Sequence, residues 1–341
     1  MSHIDYNFKT TIIGSMPHLD ADAACNLITR HLKDIPAWPQ LPRCSSLESM
    51  SIQFSRGFPG LSIVDGEAAF SRSDELEKSL ESLYDAYLTG NYSRYAVPVE
   101  YAAGLHCFLS LTGIHSWAVK GQITGPISWC LGINDDNGKS ILYDEILSDA
   151  AARMLAMSAA WQEAALSQLN KNTVIFVDEP AMSSYGSAFF NLSQEKTREL
   201  INEVIGKLNG LKGIHCCGNT DWGLVLSTDL DILSFDAYQY GNTLSLYPDA
   251  VKQLLSRGGG IAWGIVPNSE AEIVRETPAS LKDRLEETMA QFTREGISFQ
   301  QLASKSLLTP SCSLSTLTEE AAEHTLVMLN ELSNLMITRY L

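Results

Sequence analysis

Basic residues are scarce in this sequence, and long apolar runs are absent from its beginning. Lys and Arg number 24 against 40 Asp and Glu, which gives a formal net charge of -16 over 341 residues. Nucleic acids and anionic membrane surfaces are bound through clustered Lys and Arg, so we expect neither as a partner. The first residues contain no apolar run that could serve as a signal peptide or a membrane span, so we expect a cytoplasmic protein.

Cysteines are few, and no stretch rich in Pro, Gly or Ser divides the chain. An odd number of cysteines spread unevenly through a long chain is not typical of a disulfide framework, so free thiols or metal ligands are expected. Hydrophobic residues make up 45% and charged residues 19%, the balance of a globular chain with a large core. We therefore predict a single domain over 1–341. The cysteines are Cys25, Cys44, Cys107, Cys130, Cys216, Cys217 and Cys312.

Short β-branched or apolar runs alternate with longer amphipathic segments along the chain. This alternation predicts an α/β protein with a (β/α)₈ TIM barrel, a fold that spans roughly 200 to over 400 residues. A doubly wound open sheet is the main alternative, but the chain has neither a GxGxxG nor a GxxxxGK[ST] phosphate loop. In a barrel, the chemistry lies at the C-terminal ends of the strands. The eight predicted strands are 10–14, 61–64, 117–123, 173–177, 213–217, 232–236, 260–266 and 306–312.

A histidine and two cysteines follow two of these strands. His215 and Cys217 are two apart on a strand and share one side of it, whereas Cys216 faces the other way. Cys312 ends the last strand, from which it can reach the same point above the barrel axis. His215, Cys217 and Cys312 would form a Cys₂His set with one position open, the pattern of a catalytic zinc. The alternative is that they are buried and inert.

Carboxylates follow three other predicted strands. Asp178 and Glu179 come directly after a strongly apolar run, so at least one of them must project into the barrel mouth, and a helix cap is the more expected role for Glu179. Asp236 could be a fourth zinc ligand, a hydrogen-bond partner of His215, or a solvated strand end. Glu67 follows Asp-Gly, a pattern that is more typical of a turn.

Five motifs, taken in chain order, resemble the catalytic C-terminal barrel of cobalamin-independent methionine synthase. The wider superfamily includes uroporphyrinogen decarboxylase and the zinc-dependent methylcobamide:coenzyme M methyltransferases, whose H-x-C-G-[ND]-T signature matches 215–220. Together the motifs span almost the whole chain. They are TIIGS at 11–15, KGQITGP at 120–126, VDEPA at 177–181, HCC at 215–217 and TPSC at 309–312.

This resemblance implies roles for particular residues. His215, Cys217 and Cys312 look like zinc ligands, and Asp236 stands where the family has a further ligand, a Glu. Ser15, Glu67 and Asp178 resemble the residues that hold the amino-acid part of homocysteine, and we predict Asp178 as the catalytic residue among them. The implied cofactor is Zn²⁺ and the implied partner is a small thiol.

Two departures from the family bear on the methyl donor. Full-length methionine synthases have a second, N-terminal barrel that contributes to a folate site, and 341 residues leave no room for it. The family also has a proton-donating His after the seventh strand, whereas 264–268 contains none. Because a folate nitrogen needs a proton to leave and a cobalt(I) corrinoid does not, we expect a corrinoid or corrinoid protein as the methyl donor.

The expected activity is therefore a zinc-dependent S-methyltransferase in methionine biosynthesis, acting on homocysteine. Three alternatives stay open. They are a uroporphyrinogen decarboxylase-like enzyme, a methylcobamide:coenzyme M-type methyltransferase, and a corrinoid- or zinc-binding protein without turnover.

Overall fold

The computed structural model of the protein describes residues 4–187 and 190–341. Strands alternate with helices along nearly the whole of this chain. The strands are β1 (Lys9–Thr10), β2 (Leu61–Val64), β3 (Glu67–Phe70), β4 (Val119–Thr124), β5 (Thr173–Asp178), β6 (Leu211–Cys216), β7 (Ile232–Phe235), β8 (Gly260–Val266) and β9 (Ser306–Pro310). The helices are α1 (Ala21–His31), α2 (Leu76–Thr89), α3 (Ala103–Ser110), α4 (Pro126–Leu131), α5 (Glu145–Leu166), α6 (Gln194–Ile205), α7 (Trp222–Leu226), α8 (Ala237–Leu244), α9 (Pro248–Ser256), α10 (Glu270–Ile273), α11 (Pro278–Arg294), α12 (Phe299–Ser304) and α13 (Glu319–Tyr340).

Seven of the strands form one parallel sheet in the order β1-β9-β8-β7-β6-β5-β4. Every residue of β5 and β8 is buried, as their sequences TVIFVD and GIAWGIV require, because a parallel sheet is covered on both faces. The prediction of an α/β protein built on parallel strands is confirmed, and the fold is TIM-barrel-like.

Residues 36–40 connect the two edges of this sheet. The amide of Lys120 in β4 donates to Pro36 O (2.9 Å) and that of Trp38 donates to Lys120 O (3.2 Å). On the other side, the amide of Gln40 donates to Gly14 O (3.1 Å), just after β1. The bridges on both sides are parallel, so the sheet is curled until its edges meet this segment.

The prediction that 61–64 is a strand of the parallel sheet is wrong. This segment is β2, which pairs antiparallel with β3 in a separate two-stranded hairpin. The turn between them is Asp65-Gly66, and both residues have positive φ (51° and 79°), the conformation that makes Asp-Gly a favoured hairpin turn. Residues 36–40 escaped the prediction because their two prolines lack the N–H groups that a regular strand needs.

The sheet is packed on both faces. Its outer face contacts the helices through the larger hydrophobic cluster. Inside the curl, a smaller apolar cluster that includes Val174, Phe176, Ile232 and Leu307 fills the amino-terminal half of the strands. The interior can therefore open only towards the carboxyl ends of the strands. Among the helices of the described chain, none combines the length and the apolar character that a bilayer crossing requires.

A substitution of Gly104 in α3 tests the position of residues 36–40. A Cβ atom on Gly104 would lie 1.9 Å from Pro39 O, so Gly104→Ala must displace either α3 or that segment. We expect a loss of about 1–3 kcal/mol in the free energy of unfolding, measured by urea denaturation. Gly132→Ala is the matched control, because its Cβ would approach no atom closer than 3.5 Å, and we expect a change within about 0.5 kcal/mol. Equal losses in the two variants would contradict the described packing.

Candidate metal centre

The ends of β6 and β9 bring together one histidine and two cysteines. One ligand atom from each of His215, Cys217 and Cys312 lies within 4.8 Å of those of the other two. His215 is the fifth residue of β6, Cys217 follows that strand, and Cys312 follows β9. Cys216 is wholly buried in the outer hydrophobic cluster, as its opposite orientation on the strand predicts. The structure therefore assembles the three side chains that the sequence analysis selected.

The imidazole of His215 is oriented for metal binding. Its Nδ1 lies 2.9 Å from the Ser234 hydroxyl on the neighbouring strand β7. With Nδ1–H donating to that oxygen, the lone pair of the ring is on Nε2, the tautomer that an Nε2 ligand needs. Nε2 is buried and has no hydrogen-bond partner. A bound cation would satisfy this atom, so the residues present fit a metal ion.

The pKa values of the two thiols are shifted in opposite directions. The pKa of Cys217 is lowered to about 4, chiefly because the Cys312 thiol donates a hydrogen bond to its sulfur. The pKa of Cys312 is raised, because its hydrogen bond to Cys217 and its burial both favour the neutral thiol. Thiolates and a neutral imidazole are the ligands that select zinc among common divalent ions in a tetrahedral site. The chemistry of the group is thus that of a Cys₂His zinc centre.

A cavity of about 300 Å³ opens beside these three residues. Asp178, at the end of β5, lines it and has a buried Oδ1 without a hydrogen-bond partner. Burial raises the pKa of Asp178 to about 6, although the electrostatic influence of His215 and Lys120 opposes the shift. Ser15 also lines the cavity, where its hydroxyl donates to Gln40 Oε1 (3.3 Å). These positions are the ones expected for Asp178 and Ser15, and their roles in substrate binding stay predictions.

Glu179 points away from the cavity. Its carboxylate accepts hydrogen bonds from Ile127 N (2.9 Å), Ser128 N (2.8 Å) and Ser128 Oγ (2.6 Å) at the first turn of α4. Glu179 therefore caps α4, which precedes it in the chain, and its side chain makes no cap bond to the 3₁₀ helix Pro180–Ser184 that follows; it is also wholly buried. By fixing α4 to the end of β5, this carboxylate also holds the backbone that presents Asp178.

Glu48 is a cavity residue that the sequence analysis missed. Its carboxylate is buried and accepts from Leu41 N (2.9 Å) and Ala103 N (3.0 Å). Burial raises the pKa of Glu48, and these two hydrogen bonds oppose the shift. It ends a short 3₁₀ helix, Ser46–Glu48, in an irregular stretch of chain. No periodic pattern or strand end precedes it, so the sequence contains no signal that could have selected it.

The structure puts Glu67 in a different place from the one expected. Glu67 is exposed on β3, opposite Val64, and is not among the residues that line the cavity. The expectation that it lies at the mouth of a strand of the parallel sheet is wrong, because the strand before it belongs to the separate hairpin.

Asp236 is close to the metal-binding group without being part of it. Its Oδ1 accepts from Gln239 N (2.8 Å) and so caps α8. Burial raises the pKa of Asp236 to about 6, and the charges of His215 and Cys217 act on it. The cluster within 4.8 Å contains only His215, Cys217 and Cys312 in the described chain. Ligation by Asp236 stays a prediction.

We expect the purified protein to bind one zinc ion per chain. Cys312→Ala should weaken zinc binding by more than about 100-fold, beyond the loss typical of removing an outer partner of a ligand. The control is Cys216→Ala, which removes a thiol that faces the helices and should leave the stoichiometry at one. Zinc content after dialysis, together with a competitive chelator titration, measures both. Equal zinc loss in the two variants would contradict the assigned group.

Comparison with known proteins finds a solved structure with a related fold. No known family model matches this sequence, and no curated protein matches it. A solved structure that does match is described as a B12-independent methionine synthase from Shewanella sp. W3-18-1 in complex with selenomethionine. The TM-score is 0.58 at 15% sequence identity, over 97% of this chain and 98% of that one. At this identity the likeness shows the fold alone: this chain has a TIM-barrel-like fold related to that of a methionine synthase.

Proposed function

We propose that this protein is a zinc-dependent methyltransferase that methylates the sulfur of homocysteine to give methionine. The observation that carries the proposal is the group of His215, Cys217 and Cys312 in the wall of a small cavity, beside Asp178. A Cys₂His set with a position left open is typical of catalytic zinc sites. The fold, related to that of a protein described as a B12-independent methionine synthase and matched over 98% of that chain, is compatible with a methyltransferase.

His215, Cys217 and Cys312 would hold the zinc, and Ser234 would keep the imidazole in the required tautomer. When bound, zinc lowers the pKa of a coordinated thiol and so supplies a thiolate nucleophile near neutral pH. Methyl transfer then forms the new sulfur–carbon bond while the bond between the methyl carbon and its donor breaks, and that electron pair leaves with the donor. The cavity wall orients the acceptor sulfur for this displacement.

The charge of the cavity favours a thiol that carries an ammonium group. Two buried carboxylates, Glu48 and Asp178, line it, and no Lys or Arg is among its lining residues in the described chain. Homocysteine has an ammonium group that these carboxylates would attract. Coenzyme M ends in a sulfonate, which they would repel, so the cavity disfavours a coenzyme M methyltransferase.

The cavity also disfavours a uroporphyrinogen decarboxylase-like activity. That substrate carries several carboxylates and calls for basic side chains, whereas the lining contains acidic ones. A volume of about 300 Å³ is at the lower end for ligand pockets and suits an amino acid better than a tetrapyrrole.

For the donor we propose a methylated corrinoid. The segment after β8 ends in Asn268, and the side chain of this residue is already engaged. Its Nδ2 donates to Ser313 O (3.0 Å) and its Oδ1 accepts from Ser311 Oγ (3.0 Å), so Asn268 binds the residues on both sides of Cys312. The Asn268 amide cannot serve as the acid that protonates the nitrogen of a departing folate. A cobalt(I) corrinoid leaves without a proton and would approach from the cavity mouth.

The test is anaerobic incubation of the zinc-loaded protein with homocysteine and either methylcobalamin or methyltetrahydrofolate as the sole donor. We expect methionine from methylcobalamin, with the corrinoid spectrum changing in step, and none with Cys312→Ala. Methionine from the folate alone would contradict the corrinoid donor and leave the thiol methyltransferase. Bound zinc without methionine from either donor would favour a zinc-binding protein without turnover. Absence of zinc binding would contradict the whole proposal.

Substitution of the cavity carboxylates tests the acceptor. Asp178→Ala and Glu48→Gln should each raise the KM for homocysteine by about 10- to 100-fold, since a hydrogen bond to a charged group contributes about 1.5–3 kcal/mol. Glu67→Ala is the control and should leave KM unchanged, because Glu67 is exposed outside the cavity lining. Steady-state kinetics measure all three, with thermal unfolding as the check on folding. A raised KM in Glu67→Ala with none in Glu48→Gln would restore the assignment made from sequence.

A further inference from the structure

Lys120 is a buried lysine that the proposed chemistry does not use. It lies in β4, and its side chain has no exposed surface. It forms no salt bridge with any residue in the described part of the chain: its Nζ donates to Ile13 O (2.7 Å) and to Gln122 Oε1 (3.1 Å). The ammonium also lies 4.4 Å from the centre of the Phe176 ring. Burial lowers the pKa of Lys120 to about 7, and these contacts hold its polar end in a place where an apolar side chain would be easier to bury.

The hydrogen bonds of Lys120 determine how its neighbours are oriented. Because Nζ donates to Gln122 Oε1, the amide of Gln122 presents its oxygen to Lys120. The amide nitrogen of Gln122 then donates to Trp38 O (3.0 Å). One cation thereby joins β4 to Ile13, after β1, and to residues 36–40, which close the sheet between them.

The same contacts support one wall of the cavity. Ile13 and Ser15 line the cavity, and Gly14 between them packs directly against Gln122. A Cβ on Gly14 would lie 2.6 Å from Gln122 Cδ, so the segment 13–15 packs against this amide too closely for a larger side chain at position 14. Gln122 therefore forms part of the surface on which Ile13, Gly14 and Ser15 pack.

We propose that Lys120 is a positioning residue for the thiol substrate: by holding the Ile13 carbonyl and Gln122, it sets the wall 13–15 against which homocysteine binds. This inference rests on the proposed function. Lys120 acts through Ile13, Gly14 and Ser15, and none of its hydrogen bonds in the described chain goes to the zinc-binding group on β6 and β9. Loss of the ammonium should consequently weaken the binding of homocysteine while zinc remains bound.

The experiment compares Lys120→Met with Lys305→Met. Met keeps most of the side-chain volume and removes the donors. Lys305 is the matched control, since it is also buried and bonds to Ile4 O and Asp5, but it precedes β9 at the opposite end of the strand from Cys312. Zinc content, the calorimetric Kd for homocysteine, KM, kcat and the thermal midpoint are measured for each zinc-loaded protein.

For Lys120→Met we expect one zinc per chain, a Kd and a KM raised at least tenfold, and a kcat at saturating homocysteine within about threefold of wild type. Lys305→Met should lower the thermal midpoint and leave Kd unchanged. A folded Lys120→Met protein with a Kd within twofold of wild type would overturn the proposal, as would loss of its zinc or an equal rise of Kd in Lys305→Met.

Two further outcomes are distinguishable. If Lys120→Met does not fold, Gln122→Met removes the other partner of the ammonium, and the proposal requires the same rise in Kd with zinc retained. An unchanged Kd in that variant would contradict it. If wild-type protein binds zinc but no homocysteine, the proposed function fails together with this inference, whereas wild-type binding with an unchanged Lys120→Met contradicts Lys120 alone.

Discussion

The hydrogen bonds that residues 36–40 make to both edges of the parallel sheet are the constraint on which the site depends. In sheet order, β6 and β9 are three strands apart. At a spacing of about 4.8 Å, a flat sheet would hold His215 and Cys312 roughly 14 Å from each other. In the curled sheet, their ligand atoms lie within 4.8 Å. The metal-binding group therefore depends on the curl of β6 to β9, and the segment that connects the edges of the curled sheet contributes none of the three ligands.

The interior changes from apolar to polar along the strands, and this change determines the electrostatics of the site. Val174 and Ile232 belong to the apolar cluster inside the amino-terminal half, whereas Asp178 is the last residue of β5 and Asp236 directly follows β7. Both carboxyls are buried, and burial raises the pKa of each to about 6. Charged groups in such a place need partners. A metal ion, the ammonium of a substrate and the buried ammonium of Lys120 are the partners that this arrangement suits.

Adjacent residues have different tasks here because strand neighbours point to opposite sides of a sheet. Asp178 faces the cavity, whereas Glu179 binds the first turn of α4 and fixes the backbone that presents Asp178. Cys217 belongs to the metal-binding group, whereas Cys216 packs among the outer apolar residues. In both pairs, one residue faces the site and its neighbour stabilises the fold.

Local periodicity was enough to predict seven strands of the parallel sheet, and alternation along β6 was enough to separate His215 and Cys217 from Cys216, because each depends only on residues close in sequence. Tertiary contacts decided the rest. Residues 36–40 pair with Gly14 and with Lys120, and Lys120 is about 80 positions away in sequence. Their two prolines make the segment unlike a regular strand, so the sequence does not predict this pairing. Glu48 reaches the cavity through its bond to Ala103, and Glu67 leaves it because β2 pairs with β3. The sequence by itself determines which residue types are available for chemistry. Which of the carboxylates line the cavity is determined by contacts between residues distant in sequence, because these contacts form only when the whole sheet closes.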